Sequence, residues 1–327
     1  MNDNKQGELL TDSNIRRTSK VSLILRNEVI LVLIMIVLSV IITIINPRFL
    51  SLGNLFNIIS AASVIGIATI GASMVLILGE FDLTLGAVIS VTGWLMALLT
   101  PTYGATVGIT AALLAGAVFG AFTGVMVTYI KANSFIVTLA MATAYTGIGL
   151  ILNGGEYSSM SGFFTIFKER LFGVVPYSII ILIVFLVIAA LVFKFTKFGR
   201  MLFLIGSNQQ VAYFSGIRVK NYKILVFALA GVLYGVASIV LVSQISVAMN
   251  YLGEPYTLAA IATAVLGGVV LGGGKGNIFG IFLGVVLFGL ITNGMILMNL
   301  KPFWRGIVIG TIILIALSVS GYARSKE

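Results

Sequence analysis

Charged residues are so sparse in this chain that they divide it into long apolar windows. No Asp, Glu, Lys or Arg occurs between Glu28 and Arg48, Arg48 and Glu80, Asp82 and Lys131, or Lys131 and Glu156. The same holds between Arg170 and Lys194, Lys223 and Glu254, Glu254 and Lys275, Lys275 and Lys301, and Arg305 and Arg324. Each of these nine windows holds 18 or more residues, and a helix needs about 20 to cross a bilayer. The window after Asp82 is long enough for two, with "LLTPTYG" (residues 98–104) as the turn between them. Composition agrees: 9% of the residues are charged, where a soluble domain carries about 25%. The pattern predicts an all-α polytopic membrane protein of about ten transmembrane helices.

The basic residues set an orientation. Lys5, Arg16, Arg17, Lys20 and Arg26 precede the first span, so the positive-inside rule places the N-terminus in the cytoplasm. Ten crossings then put Lys131, the cluster from Lys194 to Lys223, Lys275, Arg324 and Lys326 on the same side. The count is 15 of the 20 basic residues inside, against Arg48, Lys168, Arg170, Lys301 and Arg305 outside. The net charge of +10 is therefore topology and not a nucleic-acid footprint. Residues 1–28 read as a cytoplasmic tail and not a cleavable signal, because the apolar run that follows is of full spanning length and ends without a small-residue cleavage site. Residues 29–320 form the transmembrane domain and 321–327 a second cytoplasmic tail. Two connections are long: an external one at 153–175, where "TIFKERLF" suits a short interfacial helix, and a polar internal one at 194–223, read as loop, short amphipathic helix and loop.

Two acids interrupt the apolar region in "LILGEFDLTLGAVISV". An ionisable group at bilayer depth costs at least a few kcal/mol, roughly 2.5–3.5 on insertion scales. Asp82 is placed to cap a helix beginning near Leu83, and both Glu80 and Asp82 are candidates for a gate or translocation path. "LGEPYTLAAI" echoes this segment when Thr84 is aligned with Thr257, with one extra residue restoring the match of the LGE triplets. Five spans separate the two, so they lie on opposite sides, as in an inverted 5+5 repeat. Glu254 of the second segment is a candidate external gate or docking residue. Small residues four apart (Gly108, Ala112, Gly116, Gly120 and Gly124; Gly276, Gly280 and Gly284) predict close helix packing.

Other chemistry is weakly represented. The chain has no cysteine and no histidine, which removes thiol chemistry, Cys/His zinc sites and the usual neutral-pH proton shuttle. "LGGVVLGGGKGN" fails as a phosphate-cradling loop, because Val269 stands at the first glycine position and Gly276 follows Lys275 where Ser or Thr is needed. Gly272, Gly273, Gly274, Lys275 and Gly276 read instead as a flexible cytoplasmic turn. No catalytic residue, metal site or cofactor is expected.

These segments carry a resemblance. "GEFDLTLGAVISVTG" is similar to the Gly-Gly-Ile-Asp-Leu-Ser-Val-Gly motif of the ribose-type permeases of ABC importers. "FGRMLFLIGSNQQVAYFSGIRVKNYKI" and "TLAAIATAVLGGVVLGGGKGNIFGIFLGVVLFGLITNGM" resemble that family's cytoplasmic signature and C-terminal block. Glu80 departs from the family's second glycine, Phe81 from its isoleucine, and the last block from Leu-Gly-Gly-Thr-Ser-Leu-Ser-Gly-Gly-Lys-Gly. The resemblance implies a permease subunit of the bacterial inner membrane that pairs with an identical or related permease. Its other partners would be a cytoplasmic ATPase and a periplasmic or lipid-anchored binding protein. The substrate would be a sugar, a related polyol or the sugar-like autoinducer-2. Gly206, Asn208, Ala212, Ser215 and Gly216 match the segment that docks on the ATPase. The alternative, a stand-alone ion-coupled carrier, would use Glu80, Asp82 or Glu254 as coupling sites.

Overall fold

The computed structural model describes residues 28–160 and 170–301, with 304, 306–308, 310 and 311. Eight helices among them are long and apolar enough to cross a membrane. They are α1 (Glu28–Ile45), α2 (Leu52–Ile77), α3 (Leu85–Tyr103), α4 (Ala105–Ile130), α5 (Ser134–Asn153), α6 (Tyr177–Phe195), α9 (Val219–Ile245) and α11 (Ile278–Leu297). Between α6 and α9 lie two short helices, α7 (Lys197–Ser207) and α8 (Gln209–Phe214), and α10 (Glu254–Leu266) precedes α11. This is a multi-pass membrane protein.

The structure refines several sequence expectations. The Glu254–Lys275 window yields a helix of 13 residues, which at 1.5 Å per residue spans about 20 Å and falls short of a 30 Å hydrocarbon core. Gly267 and Gly268 stop it, the latter at φ +86°. Most of the last window, between Arg305 and Arg324, together with residues 1–27, 161–169 and the C-terminal tail, lies outside the described residues. Of "TIFKERLF", Arg170–Leu171 is a strand (β2) paired antiparallel with Val175–Pro176 (β3), not part of a helix. A second ladder joins Ser158–Ser159 (β1) to Val247–Ala248 (β4). The turn expected over 98–104 shrinks to Gly104, because α3 continues through Pro101 to Tyr103. The internal loop is mostly helical: α7 and α8 replace the single short helix.

Helices α2 and α9 form the core. Residues 62–77 of α2 are buried on every face, as a helix apolar all round requires. Helix α1 is its opposite: Leu31 and Ile42 are buried while most of its large side chains are exposed, as lipid contact permits. Helix α4 lies along α9 through small residues. A Cβ at Gly116 would overlap the Gly231 carbonyl, one at Gly120 the Phe227 carbonyl, and one at Gly231 the Gly116 carbonyl. The four-residue spacing thus works as packing. Gly280 and Gly284 of α11 do the same against α10, at Gly267 and Thr263.

The backbone contact at this seam leaves no flexible side chain to yield. Gly120→Val is expected to destabilise by at least the roughly 1–3 kcal/mol of ordinary overpacking, read as a lower melting temperature in detergent. Gly53→Ala, with nothing within 4 Å, should leave it unchanged.

Candidate functional site

Helix α2 ends at Ile77 and α3 begins at Leu85, so residues 78–84 form a break with freed backbone groups. The N–H groups of Gly79 and Glu80 turn back to the Leu76 and Val75 carbonyls. The Phe81 N–H donates to Ser134 Oγ at the start of α5, at 3.0 Å. Asp82 Oδ1 accepts the Thr84 N–H at 2.8 Å and also the Thr84 hydroxyl. This is a turn-forming contact two residues on and not the cap expected of a helix beginning near Leu83, because α3 starts at Leu85 with Thr84 at its N-cap. The Gly86 N–H donates to Thr257 Oγ1 of α10 at 3.0 Å.

The two acids have different surroundings. Asp82 is 3% exposed, and its Oδ2 accepts a 3.0 Å hydrogen bond from the Tyr234 hydroxyl on α9. Its three hydrogen bonds all come from neutral donors. Gly71 makes room for this tyrosine, since a Cβ there would sit 2.8 Å from Tyr234 Cε1. Glu80 instead pairs with the Lys223 ammonium at the start of α9, and Gln209 Nε2 of α8 approaches the same Oε1 at 3.5 Å. Lys223 and Tyr234 are 11 residues apart, about three turns, so they share one face of α9. The break is held along that face.

Three glycine-bearing segments meet beside Glu80. The Gly274 N–H donates to the Ile77 carbonyl at 2.8 Å. A Cβ at Gly206 would overlap that same carbonyl, and one at Gly273 would lie 2.7 Å from the Gly206 carbonyl and 2.8 Å from Gly79 Cα. The end of α2, the end of α7 and the 272–276 turn therefore touch backbone to backbone. The turn is built on positive φ at Gly273 and Gly274, and a Cβ at Gly276 would lie 2.9 Å from the Ile77 side chain.

Helices α7 and α8 form a corner anchored on this junction. Helix α7 buries Gly199, Leu202 and Ile205, spaced so that one face meets the bundle. Asn208 separates the helices and caps α8, its Oδ1 accepting from the Gln210 and Val211 N–H groups at 3.0 Å. Ala212 is buried, Ser215 ends α8, and Gly216 turns the chain at φ +81°. On the outer side of α8, Tyr213 and Phe214 are 68% and 84% exposed. Sequence reasoning did not single out this aromatic pair, although two adjacent aromatics in a polar loop were a usable signal.

Glu254 is not brought together with the other acids through its side chain. It is exposed in the first turn of α10, where the helix dipole favours a negative charge. Its Cα lies 3.0 Å from where a Cβ of Gly86 would be, and the Gly253 N–H donates to Ser90 Oγ at 2.9 Å. The two echoing segments thus cross at the N-termini of α3 and α10. An apolar cavity of about 190 Å³ between α2, α6, α7 and α9, lined by Ile70, Met74, Phe185, Val192, Phe198 and Leu229, offers no polar groups to orient a hydrophilic solute.

Comparison with known proteins fits this arrangement. Residues 54–317 match the family described as branched-chain amino acid transport system / permease component. The ribose import permease protein of Escherichia coli (strain K12) is 35% identical over 294 residues, covering 87% of this chain and 91% of its own. The chain belongs to the sugar ABC transporter permease family. The permease is also 33% identical to the ribose import permease protein of Bacillus subtilis (strain 168), over 86% of this chain and 88% of that one. It is 31% identical to the L-arabinose ABC transporter permease protein of Azospirillum brasilense, over 93% and 90%. No solved structure matches it.

Removing the Tyr234 hydroxyl leaves a buried carboxylate short of a donor. Tyr234→Phe should cost roughly 1.5–3 kcal/mol, the range for hydrogen bonds to charged groups. Asp82→Asn should be milder, since the amide oxygen keeps both Thr84 donors and its NH₂ faces a hydroxyl that also accepts. Thermal melting of the two purified variants orders them.

Proposed function

We propose that this permease is the membrane subunit of an ATP-driven, binding-protein-dependent importer for a sugar or sugar-like solute. The observation that carries the reading is the α7–α8 corner: one side is locked onto the end of α2 and the 272–276 turn, and the other presents Tyr213 and Phe214. Exposed adjacent aromatics outside the apolar spans need a partner surface, and a separate ATPase in the cytoplasm is that partner. Gly206 acts by close backbone approach, Asn208 and Ser215 by ending and starting the short helices, Ala212 by burial, and Gly216 by its left-handed turn. Together they hold the aromatic pair in place.

In this reading ten crossings, one of them made by the short α10 together with the chain on either side of it, form an inverted 5+5 repeat with both termini in the cytoplasm. The basic residues Lys194, Lys197, Arg200, Arg218, Lys220 and Lys223 then flank the docking surface on the positive-inside side. The crossing of α3 and α10 supports the repeat, because transporter pathways run at such interfaces. Glu80 and Asp82 line the path toward its inner side, Glu254 stands beside Gly86 a short way along it, and a periplasmic or lipid-anchored binding protein delivers the solute from outside. Two permeases, identical or related, enclose the path in the inner membrane. ATP and the loaded binding protein act by favouring different states of the pair. Relatives named for ribose, L-arabinose, xylose and galactose support a small sugar as cargo. An ion-coupled carrier would need a buried acid free to take a cation, whereas Glu80 is paired, Asp82 accepts three hydrogen bonds and Glu254 is exposed.

The test is purification from native membranes in mild detergent. A near-stoichiometric ATPase should accompany the parent chain, and Tyr213→Ala/Phe214→Ala should lose it at least tenfold while inserting at normal levels. The parent chain purified alone, transporting on an ion gradient in liposomes, would refute the reading.

A further inference from the structure

We infer that Glu80 and Lys223 form an ionic latch through which the position of the α7–α8 corner is transmitted to the α2–α3 break. The inference rests on the proposed function and assigns it positioning residues. Glu80 Oε1 accepts from Lys223 of α9 and faces Gln209, the first residue of α8, so one carboxylate oxygen joins the break to both ends of the docking segment. The side chains of the pair are only 11% and 15% exposed, where charge attraction is less screened than on an open surface.

The surrounding geometry makes the link mechanical. Behind the pair, Gly206 and Gly273 rest on the backbone of Ile77 and Gly79, so the end of α7 cannot advance toward the bundle without displacing the end of α2. The latch supplies the opposite sense, a pull on the break when the corner withdraws. Beyond Glu80, the same short segment carries the Phe81 bond to α5, the Asp82 bond to α9 and the Gly86 bond to α10. A shift of Glu80 is therefore felt by the helices around the break.

The chain has no cysteine, which allows a direct test. In inverted membrane vesicles holding the native complex, Leu83→Cys places one thiol in the break, and its rate of modification by a membrane-impermeant maleimide is measured with and without ATP–vanadate trapping. Trapping should change the rate at least fivefold in the otherwise unaltered chain and less than twofold with Glu80→Gln or Lys223→Gln. The charge-reversed pair Glu80→Lys/Lys223→Glu should recover most of the response, which a merely structural loss would not. A full nucleotide response in Glu80→Gln, or no recovery in the reversed pair at normal melting temperature, overturns the latch. Absence of any ATPase from the vesicle complex overturns the importer reading itself. An ATPase that is present and traps nucleotide in all variants, with no change at residue 83 in any, overturns only the latch.

Discussion

A helix that stops in the buried interior of a protein must find partners there for its backbone polar groups, because little water is present to supply them. The break at 78–84 is where this permease meets that demand. Two of the freed N–H groups fold back on α2, one is answered by Ser134, one by Asp82 and one by Thr257. The partners outside α2 and the break itself belong to α5 and α10, so satisfying the break fixes where those two helices start. The Asp82–Tyr234 bond extends the same dependence to α9. Unsatisfied, each such group would cost several kcal/mol in hydrocarbon, more than a typical membrane side-chain hydrogen bond returns.

The two acids answer different physical problems. Asp82 is nearly sealed and is stabilised by neutral donors arranged around it, which suits a turn that must not change. Glu80 is paired with a long, flexible lysine at the rim of the junction. A partly buried ion pair is weak evidence for stability, since desolvation offsets much of the attraction. It is stronger evidence for a specific arrangement, because removing one partner leaves the other charge exposed to the full penalty. Glu80 therefore specifies where α9 and α8 sit relative to the break.

The long helices were legible because lipid imposes a length and an absence of charge that any window count detects. The α4–α9 seam was half legible: the four-residue spacing in α4 is visible, but its counterpart at Gly231 and Gly235 gains meaning only once the two helices are side by side. Helix α10 was misjudged because its window is long enough to span while Gly267 and Gly268 end the helix early. Charge counting does not register that glycine pair. Lys223 read as topology, since a lysine at a helix end satisfies the positive-inside pattern without naming a partner. Ser134, Tyr234 and Thr257 were invisible as site residues, each ordinary in its own helix and joined to the break across 53 to 171 residues of sequence. The 11-residue interval between Lys223 and Tyr234 was the one local clue.

The echoing segments "LGEFDLTLGAV" and "LGEPYTLAAI" begin alike and end in unlike environments. Their helices cross at Gly86 and Gly253, where only glycine lets the backbones approach so closely. Yet one glutamate is drawn into the junction by Lys223 and Gln209, and the other stands exposed at the first turn of α10. The sequence difference behind this is small: one extra residue between Glu80 and Thr84 in one segment, and Pro255 in the other. Proline sets the first turn of α10 immediately after Glu254, so no extended stretch remains to carry that glutamate inward. In the first segment, Asp82 holds back the start of α3 until Leu85, and the intervening residues carry Glu80 to the corner.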